Sequence, residues 1–474
     1  MLPHRKRVMT TMTAPPGDPS LLTIAELGAA FRARRLSPVD VTQHCLERIA
    51  RLDAELHAFI TVTADLALEQ ARAAAAELES GHDRGPLHGV PIALKDLIDT
   101  AGIRTTGASA LFEDRVPTED AEVVRRLKGA GAVMLGKLNL HEVAYGASGF
   151  VGHFPATRNP RSLAHICGGS SSGSAAAVAA GLCYAALGTD TSGSIRVPAS
   201  LCGIVGFMPS YGLVPLRGVI PLSSSYDHVG PMTRTVRDAA LVLQAIAGYD
   251  HQDITSVALP VPDYAAALDG DGPKPRIGVA RRPFFAELDS DVAAATARAL
   301  GALTSLGAKL RDVTLSVDDD RTVFRAESYA FHRRWVEQSP ERYQAETLRR
   351  IRTGEAVTAA EYIEKWQHLQ HMRRGALAMF AGVDLIVTPT VPVPAPSFAE
   401  LEAQPDAIRP RELVLMRNTR PFDIWGTPAL TVPCGTTSAG LPIGFQIAGP
   451  IGADAQVLRL GAAFEQCLAQ IATG

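Results

Sequence analysis

Short apolar runs of strand length alternate with longer, polar-faced or alanine-rich stretches along most of this chain. Residues 22–80 read as helices: Thr23 caps a first one, Ser37-Pro38 opens a second, and Asp65 to Glu79 is rich in Ala, Glu and Arg, residues of high helix propensity. HGVPIALKDLI (88–98) is a short apolar, strand-like stretch around Lys95. A helix is predicted over 119–130, followed by a β-run from Ala132 to Gly136. Residues 145–235 are rich in Gly, Ser, Thr and Pro and hold one clear helical segment, AAAVAAGLCYAAL. Loops of that length in a compact protein are usually functional.

Further on, the pattern predicts a strand at 276–280 and a helix at 290–306. An amphipathic helical segment follows at 321–380, carrying Tyr329, Phe331, Trp335, Tyr343, Tyr362 and Trp366. Asp384 to Thr388, Ala429 to Val432 and Ile443 to Ile447 read as strands, and 453–470 as a closing helix. The alternation argues for an α/β layer architecture. Without an internal repeat or a linker, one large domain over 21–474 is expected. Residues 1–20, basic and then Pro-rich, lack the apolar core of a secretory signal and read as a flexible tail.

Composition narrows the function. The chain has 474 residues, 46% hydrophobic and 20% charged, which is ample for a large core and too apolar for a disordered chain. Its 46 basic and 49 acidic residues give no electrostatic case for nucleic acid or an anionic membrane. A small, neutral or weakly charged substrate is the simpler expectation. The longest apolar run, Ala175 to Leu187, is too short for a membrane span. Six cysteines without a CxxC pair read as reduced thiols of a cytoplasmic protein. No metal or cofactor is implied; HLQH at 368–371 has metal-compatible spacing but reads as a solvated helix face. A monomer or homodimer is expected.

The densest chemical signal runs from Cys167 to Pro198, CGGSSSGSAAAVAAGLCYAALGTDTSGSIRVP, where two Gly/Ser-rich turns flank a central unit. Glycines there let a backbone approach a ligand and present N–H groups, and the serines offer hydroxyls. A phosphate loop would need a lysine after the glycines, and none follows. A nucleophile elbow fits Gly169-Ser-Ser171-Ser-Gly173 as GxSxG with Ser171 at its centre. That elbow needs a good preceding strand, and SLAHIC is a poor one; it also needs a separated acid and His, and Asp227 and His228 are adjacent. The third reading places chemistry on Ser194 in GTDTSGSIRVP, working with the first serine cluster and Lys95. The bland reading makes both segments turn-forming loops and Lys95 the partner of Asp96.

GGSSSGSAAAVAAG followed by GTDTSGSIRVPAS closely resembles the amidase-signature family. The resemblance extends from HGVPIALKDLIDTAG through YDHVGPMTRTV to GLPIGFQIAGP. It implies a mixed, twisted central sheet with helices on both faces. Matched position by position, the family's lysine, relay serine and nucleophilic serine fall on Lys95, Ser170 and Ser194. It further implies a cis peptide bond before Ser170 and an oxyanion hole in the turn Thr191, Ser192, Gly193, Ser194. Ser171, Asp190 and Arg196 are expected to support these groups. Departures are Cys167 for a frequent proline, Ser192 for a glycine, Met208 for a lysine and Asp423 for an asparagine.

A serine hydroxyl needs a base, and without a Ser-His-Asp arrangement that base falls to Lys95. Burial lowers a lysine's pKa from its usual value of about 10.4. Arginine cannot substitute, because its guanidinium does not deprotonate. This matters in a chain that holds seven lysines (6, 95, 128, 137, 274, 309, 365) among its 46 basic residues. The implied activity is hydrolysis of a carboxylic amide through a Ser194 acyl-enzyme, with carbamate (urethane), anilide or ester as related substrates. Tyr145, Gly146, Ala147, Ser148, Ile195 and the segment 321–380 are expected to form an apolar, roomy pocket. The alternative is a glutamine-hydrolysing A component of a tRNA-dependent amidotransferase, which would need a positive group for the glutamine carboxylate and a partner protein. A non-catalytic scaffold is the third class.

Overall fold

The computed structural model describes residues 17–269 and 274–473. Thirteen strands are present among them: β1 Phe59–Val62, β2 Pro91–Lys95, β3 Val133–Leu138, β4 Arg158–Asn159, β5 Ser162–Ile166, β6 Ala185–Asp190, β7 Val205–Met208, β8 His228–Thr233, β9 Arg276–Arg282, β10 Lys309–Thr314, β11 Leu385–Pro389, β12 Ala429–Thr436 and β13 Pro442–Ala448. Eleven of them form one mixed sheet in the order β1-β3-β2-β6-β8-β7-β12-β13-β11-β9-β10. The central strands β2, β3 and β6 run parallel, while β8, β7, β12 and β13 are antiparallel to their neighbours. Helices cover both faces, giving the expected α/β/α architecture. β2, β3, β6, β7, β8, β11 and β13 are buried along their whole length, as expected of strands covered on both sides.

Local signals explain most boundaries. Thr23 accepts from the Glu26 amide while the Glu26 carboxylate accepts from Thr23 N, a reciprocal cap on helix Ile24–Arg32. Ser37 caps helix Pro38–Leu56, with Pro38 at its first position. Helix Asp454–Thr473 closes the chain. The 321–380 segment divides into helices Thr322–Gln338, Ala345–Arg352 and Ala359–Gly375.

Four expectations are corrected. The stretch 22–80 is not wholly helical, because β1 adds an edge strand antiparallel to β3. AAAVAAGLCYAAL is not one helix: helix Ser172–Ala179 stops, Gly181 turns the chain at φ +66°, and Ala185 begins β6. Alanine's helix propensity yields there to a slot between β2 and β8. SLAHIC does form a strand, β5, paired with β4 in a separate ribbon. Of the predicted tail, residues 1–16 lie outside the described residues, while Pro19–Leu21 form a 3-10 turn anchored by Tyr184 Oη donating to the Pro19 carbonyl at 2.7 Å. No helix among the described residues is long and apolar enough to cross a membrane.

Candidate active site

The parallel pairing of β2 with β6 brings two strand ends together. Leu94 lies opposite Leu187, so Lys95, the last residue of β2, reaches Thr189 near the end of β6. Its side chain is fully buried. Its Nζ donates to Ser170 Oγ at 2.6 Å and to Thr189 Oγ1 at 2.7 Å. Removal from water lowers its pKa to about 7, against the opposing pull of Asp190 and Asp227. The pairing of Lys95 with Asp96 does not form. Asp96 instead accepts from Thr106 N and Oγ1 and stands 3.7 Å from Lys137.

Ser170 follows a cis Gly169–Ser170 peptide bond and precedes helix Ser172–Ala179. Gly169 has no room for a side chain, since a Cβ would meet the Gly149 amide nitrogen at 2.7 Å. Ser171 N donates to the Ser194 carbonyl at 3.2 Å, so the two serine turns are stitched together. Ser171 Oγ both donates to the Thr189 carbonyl and accepts from Thr189 N. Among the described residues no imidazole bonds it. His228 Nδ1 lies 3.2 Å from the Asp190 carbonyl, and burial lowers this ring's pKa to about 4, so it is neutral.

Asp190, at the end of β6, braces the Ser194 turn. Its carboxylate accepts from Gly193 N at 2.5 Å, Ile195 N at 3.1 Å and Arg196 Nε at 3.0 Å. Gly193 sits at φ +126°, where a Cβ would lie 2.1 Å from Thr419 Oγ1. Of the four amides expected to face an oxyanion, Gly193 N–H is therefore committed to Asp190. The N–H groups of Thr191, Ser192 and Ser194 make no hydrogen bond among the described residues. Thr191 Oγ1 donates to Asp227 at 2.6 Å, and Asp227 also accepts from Leu222 N and Ser223 N. Burial lifts Asp227 to about 7.

Arg196 is wholly buried between two carboxylates, Asp190 and Asp423 (2.5 Å), and donates also to the Thr419 carbonyl and Gln446. One guanidinium cannot ionise both acids in a dry site. Burial pushes Asp190 up, but Arg196 outweighs it and holds Asp190 well below the carboxylate range. Burial raises Asp423 far above that range, with Asp190 adding to the effect. Asp423 is thereby biased toward its neutral form, the form closest in shape and charge to asparagine.

Ser194 opens onto a narrow pocket lined by Ala144, Tyr145, Gly146, Thr191, Ser192, Leu222, Arg321, Phe324, Arg409 and Met416. Two corrections follow. Tyr145 and Gly146 reach the cavity, but Ala147, Ser148 and Ile195 do not line it. Ala147 is buried and accepts from Gly169 N, Ser148 Oγ donates to Glu412 at 2.7 Å, and Ile195 packs against the glycines of β6, β7 and β8. The cavity is also not purely apolar, because Arg321 and Arg409 enter it. Sequence reasoning missed both arginines, along with Thr189. Thr189 stands within the GTDTSGS motif and was legible there. The two arginines are camouflaged in a chain that uses arginine throughout.

No group of side chains suited to a metal ion exists among the described residues. His368, from HLQH, instead meets Asp318 at 2.9 Å.

A family model described as Amidase matches residues 40–458. The chain is 40% identical to the A component of the glutamyl-tRNA(Gln) amidotransferase of Moorella thermoacetica, over 94% of this chain and 96% of that one. Among solved structures, native peptide amidase from Stenotrophomonas maltophilia superposes with a TM-score of 0.82 at 32% identity, covering 95% of this chain and 98% of that one. A 6-aminohexanoate cyclic dimer hydrolase does so with a TM-score of 0.87 at 27% identity, over 96% and 98%. The chain belongs to the amidase family, the amidase-signature enzymes that act on carbon–nitrogen bonds.

Proposed function

We propose that the protein hydrolyses a carboxylic amide, with Ser194 as nucleophile, Ser170 as proton relay and Lys95 as base. The observation that carries this reading is the 2.6 Å contact between the buried amine of Lys95 and Ser170 Oγ. With its pKa near 7, that amine is a proton acceptor at neutral pH, as no arginine would be. Ser194 Oγ attacks the carbonyl carbon as its proton passes through Ser170 to Lys95. The oxyanion meets the uncommitted N–H groups of Thr191, Ser192 and Ser194, each such donor contributing about 3–4 kcal/mol to acyl transfer. The same proton returns through Ser170 to the leaving nitrogen, the C–N bond breaks, and water then hydrolyses the Ser194 ester.

The experiment is a panel of amide, anilide, carbamate and ester substrates on the purified protein. Turnover of the amide, abolished by Ser194→Ala, supports the reading. Turnover confined to the carbamate would make this a urethanase, and no turnover of any of the four would remove the hydrolase reading. Ser171→Ala serves as the internal contrast. Among the described residues its hydroxyl makes two hydrogen bonds, both to the Thr189 backbone, so the expected loss in kcat/KM is no more than about a hundredfold, as for two neutral hydrogen bonds.

A second reading is favoured by the relatives named as A components of glutamyl-tRNA(Gln) amidotransferases. In that role, the chain would release ammonia from glutamine within a complex that modifies misacylated tRNA. Glutaminase activity that appears only with a co-purifying partner would favour it over the stand-alone amidase.

A further inference from the structure

Helix Thr322–Gln338 walls the pocket with Phe324, which packs edge-on against Tyr145 at 5.2 Å between ring centroids and against Tyr226 at 6.5 Å. One turn further on, Glu327 shares that side of the helix. Its carboxylate accepts four hydrogen bonds: from Ser223 Oγ at 2.5 Å, Ser225 Oγ at 2.5 Å, Ser225 N at 3.0 Å and Tyr362 Oη at 2.9 Å. All four donors are neutral groups. A carboxylate offers about four acceptor positions and no donor, so this set fills it, whereas the amide of a glutamine would turn donors toward donors. Ser223 is the link inward. Its own amide and that of Leu222 donate to Asp227 at 3.0 and 2.9 Å, and the other oxygen of Asp227 accepts from Thr191 Oγ1 at 2.6 Å. Glu327, Ser223, Asp227 and Thr191 thus form one unbroken chain of contacts from the pocket wall to the turn that presents Ser194. Arg373 also grips this loop, but at the Ser225 carbonyl, at 2.5 Å, which leaves the Ser223 hydroxyl to Glu327.

We propose that Glu327 is a positioning residue for amide hydrolysis, holding the oxyanion turn in place through Ser223, Asp227 and Thr191. The inference rests on the reading of Ser194 as nucleophile and adds a determinant of rate that lies outside the pocket lining. Oxyanion donors work only when aimed at the place where charge develops, and a displacement of about 1 Å costs on the order of a hundredfold in rate. Thr191 and Ser192 supply two of the uncommitted N–H groups, and the Thr191 side chain is fixed by Asp227. The aim of these amides therefore follows that carboxylate, and the carboxylate is itself bonded to two amides of the loop that Glu327 holds. The helix that walls the pocket thereby also sets the turn that receives the oxyanion.

The test is the rate at which a serine-reactive fluorophosphonate labels the full chain, measured across probe concentrations so that the maximal rate and the half-saturating concentration are read separately. Serine Oγ displaces fluoride from phosphorus while a phosphoryl oxygen turns toward the oxyanion donors, so the maximal rate reports the aim of the turn. Glu327→Gln is expected to lower that rate about tenfold or more and to change the half-saturating concentration by less than about threefold. Thr191→Val should cause a similar loss. Because both act through one chain of contacts, the double variant should be no more than about threefold slower than Thr191→Val alone, whereas independent effects would multiply. A residue that merely supports the fold would not show that coupling. Ser223→Ala removes one hydroxyl from the same chain, and it decides by the same cycle with Thr191→Val if melting by circular dichroism shows that Glu327→Gln does not fold. The proposal is overturned if the folded variant labels at the unmodified rate, or if its loss multiplies with that of Thr191→Val. An adduct on a serine other than Ser194 in the unmodified protein would remove the nucleophile reading and this one with it, whereas a Ser194 adduct formed at a rate indifferent to Glu327 removes the positioning role alone.

Discussion

Lys95→Met is expected to lower kcat/KM for amide hydrolysis by about 10³-fold or more, the scale of a lost general base in a site with no substitute. Methionine fills nearly the same volume without the amine, so the buried end of β2 should keep its packing. Thermal melting followed by circular dichroism checks that the fold survives. The unmodified enzyme carries a matching pH signature. Below about pH 7 Lys95 is protonated and cannot accept the serine proton, so kcat/KM should climb as pH rises toward 7 and level off above it. Asp227 titrates in the same region. The assignment is therefore checked by Asp227→Asn, which should keep the inflection, whereas any residual activity of Lys95→Met should lack it.

Arg196→Met should instead strike stability. The substitution leaves Asp190 and Asp423 buried with no cation between them, and removing one partner of a buried pair costs about 3–5 kcal/mol. The sign of its pH dependence follows from Asp190. In the unmodified protein its depressed pKa contributes stability that is present above the usual carboxylate range and lost as pH falls through the folded value. Without Arg196 both acids favour their protonated forms, so the deficit should narrow as pH falls into the usual carboxylate range, about 4, and be largest at neutral pH. Arg276→Met, at the half-exposed pair with Asp384, is the contrast and should cost no more than about 1 kcal/mol. Asp423→Asn should stay within about 0.5–1 kcal/mol, since asparagine reproduces the neutral acid. Chemical denaturation at several pH values measures all three.

The two serine turns and Lys95 were legible because their chemistry leaves a local trace: glycines where no Cβ fits, and a lysine in an apolar strand of an arginine-using chain. The approach of Lys95 to Ser170 follows from strand pairing between β2 and β6, which fixes a contact 75 residues apart in the chain. What was misread depends on tertiary context. Ala185–Asp190 has helix-favouring alanines but fills a slot in the middle of the sheet. Ile195 follows the key serine in sequence yet is fully buried, packed against Gly188, Gly206 and Gly230 of three neighbouring strands. Arg321 and Arg409 sit 88 positions apart, one just before helix Thr322–Gln338 and the other in helix Ile408–Met416, and no local pattern distinguishes them from the many surface arginines. The character of the pocket was therefore the least legible feature, and it is the feature that sets the substrate.

Everything proposed for the chemistry requires that Ser194, and not Ser171, carries the acyl group. Reacting the protein with a serine-reactive fluorophosphonate, followed by digestion and mass spectrometry, reads this directly. A single adduct on Ser194 is expected, absent from Ser194→Ala and strongly slowed in Lys95→Met. An adduct on Ser171, or labelling of Ser194 that proceeds unchanged without Lys95, would contradict it.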